Sequence, residues 1–296
     1  WIGTQSGLDK LQPDGSFRHY RIPRRSGRAA PVLSVFEDSH ERIWAGTGHG
    51  VYTLDAGSDH LQPLSITSAT PADSASKVLD GAISAFAQMP DATIWIGGGH
   101  GIVVLSAGGH VLRVFQHADN ESDSSAPDHV RAIARGRTGT IWVATYGSGL
   151  DRMRLGESGF TSFRHDPGDA SGLSSDNLYT LFVDQTGLLW IGSQGGGIDI
   201  YNPTSRAFES FRLARNGASG ALDDLVWSIA GDARQRIWAG THTGLEQADT
   251  RHARLIAPPP EKVATALAGG GLVMVLAGDP FGGLWVANTT HLFHRA

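Results

Sequence analysis

The chain has 296 residues, a formal net charge of −5, 39 glycines, eight tryptophans and no cysteine. A mildly acidic chain without a basic stripe is not built to neutralise phosphates, which sets sequence-independent nucleic-acid binding aside. The longest apolar run, Leu267 to Gly278, is broken by glycines and falls far short of the roughly 20 residues of a membrane span; the lack of cysteine removes disulfides, thiolate zinc sites and a cysteine nucleophile, and fits an exported protein.

Seven tryptophans, Trp1, Trp44, Trp95, Trp142, Trp190, Trp238 and Trp285, recur with a period near 47. In chain order, the first unit opens at Trp1 inside a strand, turns at Gly7 and carries a further strand at Phe17 to Tyr20. The second starts with an apolar strand through Val32 and Val35, turns at Asp38, runs through Ile43-Trp44-Ala45-Gly46, turns again at Gly50 and continues from Val51 to Leu54. The same order returns with Ile83, Phe86, Trp95 and Gly101, and then with Val130, Ile133, Gly139, Trp142 and Leu150. Leu178, Leu181, Asp184, Gly187 and Trp190 open a fifth unit, Val226, Ile229, Asp232 and Trp238 a sixth, and Val273, Leu276, Asp279, Gly282 and Trp285 a seventh. Asp six residues and Gly three residues before the Trp are hairpin-turn chemistry, and the apolar runs between turns have strand composition.

Each unit therefore reads as four short antiparallel strands. Such a sheet, repeated every roughly 40–50 residues, cannot bury its faces alone, and stacked sheets solve this as a β-propeller. The expected fold is all-β, a seven-bladed β-propeller of four-stranded antiparallel blades, with the first blade lacking its innermost strand and the last its outermost. No helix of consequence is visible. Residues 1–296 are expected to form a single β-propeller domain, an excerpt of a longer polypeptide. The recurring tryptophans read as core packed between blades.

The unit from Leu178 to Ser193, preceded by His165 to Asn177, resembles the two-component regulator propeller repeat. The resemblance extends along essentially the whole chain and is weakest around Trp95, where Met89 and Ala92 stand in place of the turn Asp and Gly. It implies the extracytoplasmic, periplasmic sensor region of a bacterial inner-membrane receptor, non-enzymatic in itself, with a histidine kinase or diguanylate cyclase output elsewhere in the receptor. The expected partners are the rest of the receptor chain, a second protomer and, from the candidate site below, a small polar ligand such as a saccharide. Direct membrane insertion of this stretch is not expected.

Catalytic and metal motifs are weak. His49, His100, His242 and His291 share the turn after the Trp strand, a Gly-rich position where His is tolerated for its conformation, and no HExxH-like spacing exists. Asp119 to Asp123 resembles the start of a calcium loop, but Ser124 and Val130 occupy the positions that need Gly and Glu. Gly147-Ser148-Gly149 lacks a local base, and the arginines from Arg18 to Arg28 read as a solvated loop. No catalytic residue, no metal ligand and no cofactor is assigned.

The candidate site comes from a column eleven residues before each Trp, occupied by Leu33, Ser84, Arg131, Tyr179, Trp227 and Met274, which varies while its neighbours stay constant in type. In a propeller the loops entering the first strand converge on one mouth. This gathers Asp128, His129 and Arg131, then Asp176, Asn177 and Tyr179, then Asp224 and Trp227, as expected ligand-binding residues. Aromatic platforms beside amide, carboxylate and guanidinium groups suit a polar organic ligand. The alternative is a propeller lyase or hydrolase acting on a polysaccharide or small lactone, which would need an axial His beside a carboxylate.

Overall fold

The computed structural model describes residues 1–22, 31–67, 72–116, 129–154, 156–169, 171–213, 225–250, 254–256, 272–279 and 282–295. Seven small sheets follow one another along the chain. The first contains β1 (Ile2–Gly3), β2 (Gly7–Leu11) and β3 (Phe17–Arg21). The second is β4 (Val32–Glu37), β5 (Ile43–Thr47), β6 (Gly50–Leu54) and β7 (Gln62–Pro63), and the third β8 (Ile83–Gln88), β9 (Ile94–Gly98), β10 (Gly101–Leu105) and β11 (Val111–Phe115). The fourth is β12 (Val130–Arg135), β13 (Thr140–Thr145), β14 (Leu150–Arg154) and β15 (Thr161–Phe163). The fifth is β16 (Leu178–Val183), β17 (Leu189–Ser193), β18 (Ile198–Asn202) and β19 (Ala207–Leu213), and the sixth β20 (Val226–Gly231), β21 (Ile237–Thr241), β22 (Gly244–Asp249) and β23 (Arg254–Ile256), the two joined edge to edge by a short parallel pairing of β19 with β23. The last contains β24 (Val275–Gly278), β25 (Leu284–Ala287) and β26 (Leu292–Arg295). The fold is a seven-bladed β-propeller whose first and last blades have three strands among the described residues.

Contacts divide the chain into two compact units, one of residues 1–135 with 156–160, the other of residues 136–155 with 161–296. In the first, Trp44 packs with Val51, Ile83, Ile94, Ile96, Val103 and Leu105, so the second and third sheets share one core. In the second, Trp190 packs with Ile198, Val226, Ile229 and Ile237, and Trp238 with Val273, Leu276 and Leu284. Trp44, Trp95, Trp142, Trp190 and Trp238 are all buried, as their shared register predicts.

The glycine two residues after the Trp explains how closely the sheets approach. A Cβ added to Gly192 would lie 2.8 Å from Val226 Cγ1, and one added to Gly240 2.8 Å from Val273 Cγ1. The β-branched side chain that opens the next sheet occupies that space. The hairpin before the Trp is equally regular. Gly139, Gly187 and Gly282 have φ of 75°, 93° and 109°, and Glu41, Ala92 and Gln235 reach 60°, 61° and 60° at the same turn position. Gly removes the steric cost of this left-handed conformation, but a turn closed by backbone hydrogen bonds, such as Glu41 N–H to Asp38 O at 3.0 Å, holds other residues there too.

One element departs from the sequence reading. Helix α1 (Ala72–Leu79) lies between β7 and β8, where no helix was expected. Ala75, Val78 and Leu79, at i, i+3 and i+4, enter the core around Trp44, and Lys77 stands in the last turn, where the helix dipole favours a cation. Eight residues give too short a period to stand out from the surrounding Ser- and Ala-rich connection. No helix among the described residues is long and apolar enough to cross a membrane.

Candidate functional site

The variable column owes its position to a recurring β-bulge. In the fifth sheet Leu178 faces Ser193 and Thr180 faces Gly192, so the register skips over Tyr179. The same register shift skips over Trp227 in the sixth sheet, Leu33 in the second and Ser84 in the third. A bulge adds a residue to one strand and re-aims its side chain, and bulges gather beside functional sites. Burial follows the column. Ile83, Val130, Leu178, Val226 and Val273, one residue earlier, are buried, whereas Leu33 is 51% and Met274 38% exposed despite being apolar.

In the second unit two rings of this column join Tyr146 in a row of three. Tyr146, from the turn after β13, meets Tyr179 edge to face, with centroids 5.7 Å apart and planes at 75°. Tyr179 meets the indole of Trp227 in the same manner, at 4.8 Å and 66°. Such edge-to-face pairs orient each ring as well as burying area. The Tyr146 hydroxyl points to Gln194 Oε1 at 3.4 Å. Tyr179 and Trp227 are half-buried, and the Trp227 Nε1–H is itself buried with no hydrogen-bond acceptor among the described residues.

The row is supported by the loop from β15 to β16. Asp199, fully buried, accepts from the Ser174 amide at 3.0 Å and hydroxyl at 2.7 Å, and from the Ser210 hydroxyl at 2.6 Å. Leu173 is buried, and its carbonyl accepts from the His165 ring at 2.7 Å. The Gly147 amide donates to the Asp176 carbonyl at 3.0 Å and the Gln194 amide to the Asn177 carbonyl at 2.9 Å, which ties the loop to the turns carrying Tyr146 and Gln194. Asp151, buried on β14 and facing Ser162, is held above the usual carboxylate range by its desolvation, against the opposing pull of the Ser162 hydroxyl and the Arg164 charge.

Of the expected residues, Asp176, Asn177, Tyr179 and Trp227 belong to this unit and stand on or beside the row. Asp176 is turned inward: its Oδ1 accepts from the His165 amide at 2.8 Å, a loop-closing role. His129 and Arg131 belong to the first unit and are exposed at the start of β12, with His129 at φ 47°. Asp128 and Asp224 lie outside the described residues, as do the loop from Asp119 to Asp123 and Arg24, Arg25 and Arg28. Sequence reasoning missed Tyr146 and Gln194 as members of the site. The signal was their shared place in the turn after the Trp strand, where other blades carry His.

The turn histidines His49, His100, His242 and His291 are exposed, and no group of three or more candidate metal ligands occurs among the described residues. His19 meets Asp9 at 2.5 Å across β2 and β3, and His294 on β26 meets Asp279 of the turn after β24 at 2.6 Å, both imidazoles exposed. In the first unit, a cavity of about 100 Å³ between α1 and the β6–β7 hairpin is lined by Val51, Leu64, Ile66 and Leu79, with His49 and Asp80 at its edge.

No family model and no curated protein matches the sequence. Solved structures do. The chain is similar to the extracellular domain of BT4673 from B. thetaiotaomicron, described as a one-component system, with 16% identity and a TM-score of 0.74 over 99% of this chain and 38% of that one. It is equally similar to the extracellular domain of BT3049 from the same organism, described as a hybrid two-component system, at 17% identity and TM-score 0.74, covering 100% and 38%. An inactive variant of virginiamycin B lyase from Staphylococcus aureus, solved with quinupristin, aligns at 16% identity and TM-score 0.68 over 97% and 86% of the two chains. The chain spans about 38% of the length of the two receptor ectodomains. At these identities the likeness establishes the fold, and two of the matched structures are of the receptor class whose propeller repeat the sequence resembles.

Proposed function

We propose that this propeller is the extracytoplasmic ligand-sensing part of a bacterial signal-transduction receptor, non-enzymatic in itself, and that it binds a small polar organic compound such as a saccharide. The observation that carries the reading is the row Tyr146, Tyr179 and Trp227, the first in a turn and the other two set off the strand ladder by bulges, with amide and hydroxyl groups beside it. Rings that a structural column would bury in the core stand here at the surface of three consecutive sheets, where they offer apolar faces and edge donors to a ligand. Ligand binding would then shift the arrangement of the receptor and its output. The likeness to receptor ectodomains and the resemblance of the repeat support the receptor part.

Two experiments test this. Titration of oligosaccharides and small polar metabolites, followed by tryptophan fluorescence and calorimetry, should give saturable binding that Trp227→Ala abolishes without lowering the melting temperature. Failure of every compound to bind would count against ligand sensing. The gene should encode, in frame after Ala296, a membrane helix and a kinase or cyclase module, and a stop codon directly after it would count against the receptor. The lyase alternative draws support from the likeness to virginiamycin B lyase. The His–carboxylate pairs His19–Asp9 and His294–Asp279 have exposed imidazoles, which does not favour it.

A further inference from the structure

We infer that the cavity beside helix α1 binds a free small compound, a short branched aliphatic or single-ring group carrying one hydrogen-bonding head. The site belongs to the first unit and goes beyond the aromatic row, on which it does not depend. Its walls come from an irregularity of the second sheet. The outer strand β7 has two residues, where β3 and β11 have five, and it pairs with Tyr52 and Thr53. Beyond it the Leu64 amide donates to the Val51 carbonyl at 2.9 Å, and Thr67 crosses to the third sheet, donating to the Gly109 carbonyl at 3.2 Å and accepting from the Val111 amide at 3.0 Å. Helix α1 packs over the face that so short a strand leaves uncovered. Ser76, Leu79 and Asp80, at i, i+3 and i+4, line the cavity together with Val51, Leu64 and Ile66.

The floor is apolar and the mouth polar. Val51, Tyr52 and Leu79 are buried, whereas His49, Pro63 and Asp80 are exposed, so the space of about 100 Å³ reaches solvent on their side. An apolar cavity of about 150 Å³ holds benzene, which sizes this one for a group of about four to six heavy atoms. The His49 ring and the Ser76 hydroxyl stand at the mouth and make no hydrogen bond among the described residues, so both can receive a polar head. The turn fixes His49 there: its amide donates to Thr47 Oγ1 at 3.1 Å, and the Gly50 amide donates to the Gly81 carbonyl, just past α1, at 3.0 Å. Apolar walls with a few polar groups at one side are the makeup of a small-molecule pocket. Ten residues line it, against the roughly 20–30 that a protein partner engages, which makes a free compound the occupant.

The probes are 3-methyl-1-butanol, which matches the cavity, and 2-phenylethanol, which exceeds it, titrated into methyl-labelled protein and followed by ¹H–¹³C NMR. The smaller alcohol should shift the methyls of Val51, Leu64, Ile66 and Leu79 saturably, with a Kd of about 10 mM or tighter, the range for so few atoms. Ser76→Leu fills the cavity, so it should melt no lower than the wild type and weaken binding at least about tenfold. His49→Ala should weaken it about threefold, the worth of one hydrogen bond. Leu64→Ala widens the wall without touching the head contacts and should reverse the preference toward 2-phenylethanol. Trp227→Ala should leave this binding unchanged, which keeps failure here distinct from failure of the aromatic row. No saturable shift, shifts scattered beyond these methyls, or undiminished binding by Ser76→Leu or by His49→Ala would overturn the inference. So would a Ser76→Leu protein that melts several degrees lower, since the space it should fill would not exist, or an unchanged preference in Leu64→Ala.

Discussion

The indole Nε1 of Trp238 donates to Asp232 Oδ2 across 3.0 Å, from the strand that follows the turn Asp232 begins. The other carboxylate oxygen of Asp232 accepts the amides of Arg234 and Arg236, both at 2.9 Å, and the Arg236 guanidinium both pairs with Oδ2 at 2.6 Å and lies 5.2 Å from the Trp238 ring. One side chain thus closes a turn, fixes a buried ring and anchors a cation. Asp38 with Trp44 and Asp184 with Trp190 repeat the bond, which gives the Asp–Trp spacing of the repeat its physical meaning.

Replacing Asp232 by Ala leaves the buried indole and two turn amides without their acceptor. The expected loss is about 2–3 kcal/mol, the range for a hydrogen bond to a charged group together with the desolvation of the orphaned donor. Asp232→Asn keeps one acceptor oxygen and should cost less. Chemical denaturation of the two variants checks the order, and a silent Asp232→Ala would show that the bond does not hold the ring.

The same carboxylates govern the response to acid. Burial alone would raise Asp38, Asp184 and Asp232, but hydrogen bonds from the indoles, the turn amides and the Thr186 hydroxyl outweigh it and hold all three below the usual carboxylate range. A carboxylate with a depressed native pKa binds fewer protons than in the unfolded chain, so its contribution is complete above the unfolded value of about 3.9 and lost as pH falls through the native one. The melting temperature should be flat on this account from pH 7 to 5 and fall below about pH 4. In Asp232→Ala the acid fall should be shallower.

Asp151 runs the other way. Its burial raises the native pKa, so the folded protein binds more protons than the unfolded chain between the unfolded value of about 3.9 and its own, and stability declines as pH rises across that window. Asp151→Asn retains an oxygen to accept from Ser162 and removes the buried charge. The variant should be more stable than the wild type at pH 7, with the difference vanishing near pH 3. A variant less stable at pH 7 would mean that the Arg164 charge outweighs the burial of Asp151.

How far the sequence could be read depended on which residues carried the signal alone. The Trp register, the Asp turn and the two incomplete end sheets were all readable, because each is one residue type repeated at one spacing. Glu41, Ala92 and Gln235 hid the same left-handed turn, since the backbone hydrogen bonds that enforce it leave no mark on side-chain identity. Helix α1 was hidden because three buried residues in eight make no period. The column containing Tyr179 and Trp227 was visible as variation, but the bulge that explains it is a register shift, which side-chain pattern does not encode. Tyr146 and Gln194 joined the site only through the contacts of the folded turns.

Trp190→Ala removes a ring that packs against Val226 and Ile229 of the next sheet and leaves Asp184 without its indole partner. It should cost about 3–5 kcal/mol, as large-to-small replacements of buried aromatics do. An unchanged melting temperature would refute the assignment of this ring to the core.

The variable column predicts a sharp alternation between adjacent positions. Val273 is fully buried against Gly240, whereas Met274, the next residue, is 38% exposed although its amide donates to the Ala287 carbonyl at 3.0 Å. Val273→Ala should therefore lose roughly 1.5–3 kcal/mol, the value of burying such a side chain, while Met274→Ala should stay within about 0.5 kcal/mol. The pair in the second sheet sharpens the comparison, because Leu33, 51% exposed and larger than Val273, should nonetheless be cheaper to replace. Size and hydrophobicity alone would rank these three in the opposite order. Denaturation curves that followed size would mean that the column is core. Curves that follow exposure would show that the fold spends no stability on these positions, which leaves them free to vary with the ligand.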